Sequence, residues 1–497
     1  MKRAYQQSSI AATALLLSFT LSGCLQVGPE YTKPTADTAT GWQVEPNTLM
    51  NNTMPNDAAW WKEAFQDPEL NSLVELALDD NLSLRSASLR VLQSQQQLAI
   101  AIGNQFPQQQ QATGGASRSK ANDNIANNYS LGMNLSWEAD IWGRNSSQVE
   151  SASAAMDASI ADYDGALVSI VSQVAQNYVL IRTFRNRVKV AQENIALQQT
   201  NLDIAQAKFD AGEVSELDVD QAASLLNNTK ATISSYEVSL QQLKNSLAVL
   251  LGQPPQAFAS YLADTSKIPE VKADIALGMP QDLIRQRPDI RAAERRLASQ
   301  SAEIDYAVTE LYPHLSIGGS VGTSAQHENK LFRNETEIWD IAGMFEWNIF
   351  NYGRLRSNIR LQDATFQQLL VDYRSTVLNA QADVENTIVA YLKSHEQLVS
   401  YQRAADASQR AVNISQTQYT NGLIPFNTVI NTLTSDAQQQ DLLATAKGNV
   451  ASNLIQVYRA LGGGWEIRNG QDPVDLLPAS TEQEMLERTK YWDGLLD

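Results

Sequence analysis

Cysteine and histidine are scarce in this chain of 497 residues, which holds one cysteine and three histidines. A single thiol excludes an internal disulfide and a cysteine-rich metal site. The histidines are far apart in the sequence, at His314, His327 and His395, so we expect no metal site and no cofactor. The glycines of 318–324 lack the lysine of a phosphate-binding loop, and no catalytic Ser–His–Asp order stands out. The sequence therefore indicates a protein that is not an enzyme.

Charge is also sparse and unbalanced. Charged residues make up 19% of the chain, against roughly 25% in an average soluble protein. The formal net charge is −18, which excludes nucleic acid as a partner because both would be negative. Long apolar runs are missing too, since "AATALLLSFTL" at 11–21 is too short to cross a membrane as a helix.

That short apolar run belongs to a targeting segment. Lys2 and Arg3 precede it and "LSGC" at 21–24 follows it, which predicts a signal peptide over 1–23. "LSGC" resembles the bacterial lipobox, and this resemblance implies cleavage before Cys24 and lipid on its sulfur and its new amino group. Leu25 in the next position implies sorting to the outer membrane of a Gram-negative cell. The alternative is an ordinary signal peptide that a cysteine follows by chance.

One phrase occurs twice. "WEADIWGRN" at 137–145 returns as "WNIFNYGRL" at 347–355, with each shared residue 210 positions later. Upstream, "FP" at 106–107 returns as "YP" at 312–313, with an offset of 206. The chain is therefore a tandem duplication with a change of loop length between these two anchors.

Each copy contains a long proline-free stretch, at 145–211 and at 355–421. Apolar residues recur there at alternating spacings of three and four, as in a coiled coil, and a helix of this length would extend roughly 100 Å. Gly212 and Gly422 follow as helix C-caps. Return helices are predicted over 218–252 and 428–462. An ordinary coiled coil remains an alternative.

Strands are predicted before each long helix. Apolar and small polar residues alternate over 129–139, which is the length of a transmembrane β-strand. In copy two, one face is predicted to carry Trp339, Ile341, Phe345, Trp347 and Ile349. Two hairpins, near 106–140 and 312–350, give four strands per chain; soluble hairpins are the alternative. Four residues of the repeated phrase are predicted to form an interfacial aromatic girdle, namely Trp137, Trp142, Trp347 and Tyr352.

The predicted fold class is mainly α with a transmembrane β part and two structural repeats. The domains are an N-terminal segment (24–75), repeat one (76–252), an equatorial linker (253–281), repeat two (282–462) and a C-terminal equatorial tail (463–497). Four strands cannot close around a pore, and lipid does not tolerate open strand edges. The chain must therefore oligomerise, with two copies giving eight strands or three copies giving twelve and a lumen.

Several motifs now point to a family. "CLQVGPEYTKP", "WWKEAFQDPELNSLVELALDDN", "RQRPDIRAAERRL" and the repeated phrase resemble the TolC-like outer-membrane efflux channels, in the lipid-anchored OprM/NodT branch. The resemblance implies a homotrimer, a twelve-stranded β-barrel in outer-membrane lipid and a periplasmic α-helical barrel. It also implies two partners, a periplasmic adaptor and an inner-membrane pump, and an efflux function for drugs or toxic small molecules. The substrate and the adaptor class cannot be named from the sequence.

The resemblance also assigns site residues. Adaptor docking falls on Gly212, Val214, Gly422, Leu423 and Ile424, although both glycines are needed as helix caps in any case. Members of the family commonly carry an acidic residue nine positions after the second tip glycine, where it forms a constricting ring. This chain has an asparagine at that position. The predicted periplasmic gate therefore consists of Thr428, Asn431, Asp218 and Asp220.

Two other functions remain open. One is a protein-secretion channel of the same fold, and the other is a periplasmic coiled-coil scaffold without a pore.

Overall fold

A computed structural model describes the chain from residue 27 to residue 494. The ranges left out within it are 36–37, 40, 44–49, 52–57, 123, 257–261, 263–264, 272–274 and 277–286. The predicted signal peptide and Cys24 lie outside the described residues, as do parts of the predicted linker.

Helices and strands follow the duplication. The helices are α1 (Trp60–Phe65), α2 (Pro68–Asp80), α3 (Leu82–Gly103), α4 (Arg144–Asp210), α5 (Glu216–Leu250), α6 (Pro288–Thr309), α7 (Arg354–Thr420), α8 (Phe426–Leu461) and α9 (Ala479–Arg488). The strands are β1 (Met50–Asn51), β2 (Gln109–Ala121), β3 (Asn124–Ala139), β4 (Ile275–Ala276), β5 (His314–Ala325) and β6 (Glu337–Glu346). The predicted fold class, mainly helical with two repeats and four strands in the main sheet, is confirmed.

The long helices α4 and α7 have 67 residues each and begin one residue earlier than the sequence predicts. At the start of α4, both carboxylate oxygens of Asp140 accept hydrogen bonds from the amides of Asn145 and Ser146, each at 2.9 Å. A carboxylate there satisfies backbone donors that have no partner inside the helix and suits the positive end of the helix dipole. The return helices α5 and α8 begin two residues earlier than predicted, at Glu216 and Phe426.

The chain divides into two compact units. The first, here called the strand unit, comprises the described residues of Met1–Thr35, Arg90–Ile160 and Ala292–Arg374. The second, here called the hairpin unit, comprises the described residues of Ala36–Leu89, Ala161–Arg291 and Ser375–Asp497.

The strand unit contains an antiparallel sheet of four strands in the order β2-β3-β5-β6. The middle contact joins the two copies, because β3 of copy one pairs with β5 of copy two, with Met133 opposite Val321. One expectation is wrong here. The strand was predicted to include Trp347 and Ile349, but β6 ends at Glu346. Residues 347–350 have no neighbouring strand to pair with in the described part of the chain.

The core of the hairpin unit is built around two adjacent tryptophans. Trp60 and Trp61 are completely buried, and the Trp60 ring stacks on Tyr458 with 4.7 Å between ring centroids. Seam positions of both long helices are buried as well, including Val174, Tyr178, Ile181, Val384, Ile388 and Tyr391. The apolar spacing of three and four therefore marks the packed face of each long helix.

Within the described ranges, none of the helices is both long enough and apolar enough to cross a membrane.

Candidate functional site

After each of the long helices α4 and α7, the chain reverses direction at a glycine whose backbone is in the left-handed region. Gly212 has φ +75° and Gly422 has φ +73°. At each tip, the amide of the next residue donates to a carbonyl five residues earlier, at 2.8 Å in copy one and 2.9 Å in copy two. This is the hydrogen bond of a Schellman cap, so both tips need a residue that tolerates positive φ.

The two tips of one chain pack against each other through a small apolar cluster, here called the tip cluster. Its buried members are Ala205, Ala222, Val412, Tyr419, Phe426, Val429 and Leu433. The rings of Tyr419 and Phe426 lie 5.0 Å apart, and the ammonium of Lys208 is 5.5 Å from the Tyr419 ring centroid and 2.9 Å from the Glu213 carboxylate. Burial raises the pKa of Tyr419, and the carboxylates of Asp218 and Glu213 raise it further.

The residues predicted for adaptor docking all lie at these tips. Gly212, Gly422 and Leu423 are exposed, and Leu423 exposes 72% of its surface. Val214 and Ile424 are half-buried, and Ile424 packs against the tip cluster. At the second tip, the exposed Leu423 directly follows Gly422, so an apolar side chain is available to a partner.

The predicted gate residues lie just beyond the tips, on the return helices. Thr428 and Asn431 are exposed on α8, one turn apart, whereas Val429 between them faces the tip cluster. On α5, Asp220 is exposed and Asp218 is half-buried. The duplication aligns Thr428 with Asp218, so both copies present a polar side chain at the same helical position.

In the strand unit, two tryptophans of the repeated phrase make the same contact. The indole N–H of Trp137 donates to the Gln105 carbonyl at 3.2 Å, and that of Trp347 donates to the Leu311 carbonyl at 3.0 Å. Gln105 and Leu311 correspond to each other at the offset of 206. Each indole therefore holds the end of β3, or the residue directly after β6, to the turn that precedes the same hairpin.

The other two aromatic residues of the phrase differ from each other. Trp142 stacks on Tyr312 at 4.9 Å between ring centroids and donates to the Pro313 carbonyl at 2.9 Å. Its counterpart Tyr352 is fully exposed and has φ +52°. Among the described residues, Tyr352 does not make the contact that Trp142 makes between the two copies.

A charged cluster beside Trp142 was missed by sequence reasoning. The Arg144 guanidinium donates to the Glu310 carboxylate and to the Tyr306 hydroxyl, each at 2.9 Å, and lies 3.4 Å from the Glu138 carboxylate. His314 Nδ1 is 2.9 Å from that second carboxylate. In the sequence, the cluster was indicated only by the recurrence of the arginine in the second copy of the phrase. Two of the partners of Arg144, Glu310 and Tyr306, are more than 150 positions away, and the third, Glu138, belongs to β3.

The four-stranded sheet has one apolar face and one polar face. The registers place Leu131, Met133, Leu135, Trp137, Leu315, Ile317, Val321, Trp339, Ile341 and Phe345 on the same side. On the opposite side, β3 and β5 carry Ser130, Gly132, Asn134, Ser136, Ser316, Gly318, Ser320 and Gly322, and β6 adds Asp340 and Glu346 together with the less polar Ile338, Ala342 and Met344. On β2, the apolar side has only Ala112, Gly114 and Ala116 at its centre. Such a sheet suits an apolar medium on one side and water on the other.

The N-terminal segment lies along α6 in the strand unit. A β-carbon at Gly28 would lie 2.1 Å from a carboxylate oxygen of Asp305, so the two residues are in close contact. Burial raises the pKa of Asp305 to about 7. Farther along, the Tyr31 hydroxyl donates to the buried Glu294 carboxylate at 2.6 Å. Gly28 thus lies near the end of α6 that leads into β5.

Comparison with known proteins identifies the chain. Its sequence matches the family described as "Outer membrane efflux protein" over residues 73–253 and 279–463. It is 30% identical over 466 residues to the pyoverdine export outer membrane protein OpmQ of Pseudomonas putida, across 91% of this chain and 97% of that protein. It is 29% identical over 461 residues to nodulation protein T of Rhizobium leguminosarum bv. trifolii, across 91% of this chain and 97% of that protein.

Solved structures agree. The outer-membrane channel OprN superposes with a TM-score of 0.83 at 28% identity, across 88% of this chain and 99% of OprN. The Campylobacter jejuni CmeC channel shares the fold, with a TM-score of 0.85 at 22% identity and coverage of 92% of this chain and 100% of CmeC.

Two amphipathic hairpins that precede two 67-residue helices are the architecture of a family of channel proteins. The chain belongs to the outer membrane efflux protein family, and it is an efflux duct of the outer membrane.

Proposed function

We propose that three copies of this chain form the exit duct of a three-part efflux assembly. The main support is the four-stranded sheet. Within the described part of the chain its edge strands β2 and β6 each pair on one side only, and its two faces differ in polarity. Three copies bring twelve strands, enough for a closed barrel with a lumen, whereas eight would leave an interior filled by side chains. The apolar face then meets lipid and the serine- and glycine-rich face lines the lumen.

The other two parts are a periplasmic adaptor and an inner-membrane pump. The exposed tips support this proposal, because the adaptor is expected to meet Gly212, Val214, Gly422, Leu423 and Ile424. The relatives are named for different cargoes, such as pyoverdine export for OpmQ and cation efflux for CusC of Escherichia coli. Since one fold serves such different cargoes, we assign the choice of drug or toxic solute to the pump.

The periplasmic mouth is proposed to close at Thr428 and Asn431 of the three copies, with Asp218 and Asp220 forming a negative entrance. Support comes from the exposure of the α8 residues on the helix side away from the tip cluster.

The proposed aromatic girdle lies between the strands and the long helices, which is where a membrane–water interface would fall. Its members are Trp137, Trp142, Trp347 and Tyr352.

Lipidation of Cys24 fits the course of the N-terminal segment. Four residues of extended chain span at most about 14 Å, and Gly28 lies near the α6 end that leads into β5. Cys24 can therefore reach the level at which the strands begin. That level is the membrane surface if the sheet is embedded in lipid.

The proposed duct is tested by its conductance. Purified protein added to a planar lipid bilayer is expected to give discrete steps of current, and extract from cells that lack the gene should give none. A periplasmic scaffold would leave the bilayer silent, so the absence of steps from stable, correctly folded protein would overturn the duct.

Replacing Cys24 by serine, with an ordinary signal peptide supplied, is expected to leave inserted trimers in the membrane. A buried acyl chain contributes about 0.8 kcal/mol for each CH₂ group, whereas the barrel buries the apolar face of all twelve strands. Carbonate washing of membranes, with the unaltered chain as the control, measures the insertion. Release of the variant by carbonate would contradict the barrel.

A further inference from the structure

The hairpin unit contains a cavity of about 400 Å³, here called the α2 cavity, between the end of α2, the first part of α4 and the segment that follows α8. Its floor is apolar, because Leu84 and Leu167 line it and are almost completely buried. Four further apolar residues form the walls, namely Leu78, Ile467, Leu476 and Pro478. Pockets for small molecules have volumes of about 300–1,000 Å³ and mainly apolar walls, so the α2 cavity has the dimensions of such a site.

Two carboxylates lie at one side of the α2 cavity, at the C-terminal end of α2. Asp79 is exposed and Asp80 is half-buried. In the described part of the chain neither forms an ion pair, and Asp80 accepts a long hydrogen bond, at 3.4 Å, from the Gln253 amide. The last turn of α2 carries no basic residue. Since the C-terminal end of a helix already has a partial negative charge, this end leaves an uncompensated negative potential beside apolar walls.

Tyr163 adds a polar side chain to the floor. It exposes 2% of its surface, and no described residue forms a hydrogen bond with its hydroxyl. A hydroxyl on so deeply buried a side chain normally has a partner. Burial and the nearby Asp164 carboxylate raise the pKa of Tyr163 to about 12, so the hydroxyl stays neutral and its oxygen can accept a hydrogen bond from a ligand.

Among the described residues that line the α2 cavity, Arg468 is the basic one, and its charge is already compensated. Its guanidinium donates to both carboxylate oxygens of the completely buried Asp164, at 2.7 and 3.3 Å, and to the Gln471 carbonyl. All three guanidinium nitrogens are therefore engaged. A second arginine on Asp164, Arg291, stacks on Trp465 and does not line the cavity.

We propose that the α2 cavity is a binding site for a small organic cation with an apolar body, such as an arylalkyl ammonium ion. The apolar body packs on Leu84 and Leu167. The charged nitrogen donates to Asp79 and Asp80 at the end of α2, and the Tyr163 hydroxyl is a further acceptor.

Two other classes of ligand fit the α2 cavity less well. A metal ion needs more donors, and among the described residues no group of three or more histidine, cysteine, aspartate or glutamate side chains could hold one. An anion would face the carboxylates of Asp79 and Asp80 and an arginine whose donors are engaged. An organic cation matches both the negative end of α2 and the apolar walls.

The site lies within one chain, because every residue that lines it belongs to the hairpin unit. It is therefore independent of the number of copies in the proposed duct. A bound cation would join the end of α2 to the segment that follows α8.

Three fluorinated probes with one skeleton test the class of ligand on the full-length protein in lipid nanodiscs. They are the para-fluorophenethylammonium ion, the neutral para-fluorophenethyl alcohol and the anionic para-fluorophenylacetate. Titrations followed by fluorine NMR give a dissociation constant for each probe, and empty nanodiscs correct for partition into lipid. We expect the ammonium ion to bind at least about tenfold more tightly than the alcohol, because only the charged probe is attracted by the carboxylates.

The double variant Asp79→Asn with Asp80→Asn removes both charges and keeps the shape of the side chains. It should weaken binding of the ammonium ion at least about tenfold and change binding of the alcohol by less than about twofold. Asp79→Asn alone changes an exposed residue and should give an intermediate loss. Asp475→Asn is the matched control, because it makes the same change of charge at an exposed residue outside the lining, and it should leave the binding of all three probes unchanged.

Equal binding of the ammonium ion to the unaltered chain and to the Asp79 and Asp80 variants would place the probe elsewhere and overturn the site. An equal loss in Asp475→Asn would assign the effect to general charge and would also overturn it. Equal binding of the ammonium ion and the alcohol, or tighter binding of the acetate, would overturn the class of ligand. If the double variant fails to fold, Asp79→Asn and the comparison of the three probes on the unaltered chain decide the question.

Discussion

Replacing Gly422 by arginine is expected to abolish resistance in cells that depend on this duct, while the trimers remain assembled. Gly422 is exposed, and no atom lies within 4 Å of an added β-carbon, so the side chain fits without a clash. The φ of +73° makes the change cost of order 1 kcal/mol, which leaves a helix hairpin folded. A charged side chain beside Leu423 then blocks the close approach of an adaptor.

Gly470→Arg provides a matched control for the cost of the backbone. Gly470 has φ +76° and open space around it, and it follows α8 at the end away from the tip. The minimal inhibitory concentration of a pump substrate should fall to the level of a deletion strain for Gly422→Arg and stay unchanged for Gly470→Arg. Unchanged resistance in both variants, with equal amounts of trimer, would remove the tip from the docking surface.

The sequence was informative where a local pattern reports burial. The alternation over 129–139 reappears as the two faces of β3, and the spacing of three and four reappears in the buried seam of α7. Local patterns failed at β2, whose central residues on the apolar face are Ala112, Gly114 and Ala116. Only the duplication indicated a strand there, because small residues carry no hydrophobic periodicity.

The prediction for β6 was too long for a different reason. Trp347 and Ile349 continue the alternation of β6, but a strand also needs a neighbour for its backbone hydrogen bonds. In the described part of the chain these residues have none, and the ladder stops at Glu346. Propensity and pattern describe the side chains, whereas pairing depends on what lies beside the strand.

Contacts between distant residues were also beyond a reading of the sequence. Arg144 meets Glu310 across 166 positions, and no spacing rule joins them. Trp60 and Tyr458 stack across a still larger separation. In contrast, Gly212 and Gly422 were identified correctly as helix caps, because a cap depends only on local φ and on hydrogen bonds within one turn.

Replacing Asn431 by aspartate is expected to make the channel much more sensitive to block by trivalent cations added on the periplasmic side. Three carboxylates close together around the pore axis repel one another and bind a highly charged cation strongly. Three asparagine amides can donate to and accept from one another without any charge to neutralise. The unaltered channel, with Asp218 and Asp220 set back on α5, should therefore be blocked only weakly.

The measurement is the concentration of a hexaamminecobalt(III) salt that halves the current through single channels in a planar bilayer. We expect this half-blocking concentration to fall at least about tenfold in Asn431→Asp. A tenfold change in binding corresponds to about 1.4 kcal/mol, which is a modest share of the attraction between one trivalent ion and three carboxylates. Asn228→Asp, an equal change of charge at an exposed position of α5, should alter the half-blocking concentration little.

Equal block in all three proteins would show that residue 431 does not line the constriction. A fall in the Asn228 variant as large as in the Asn431 variant would assign the effect to the general charge of the helices. Selective block of Asn431→Asp would mean that this chain closes its periplasmic mouth with hydrogen-bonded amides, so that opening would not require the displacement of a bound cation.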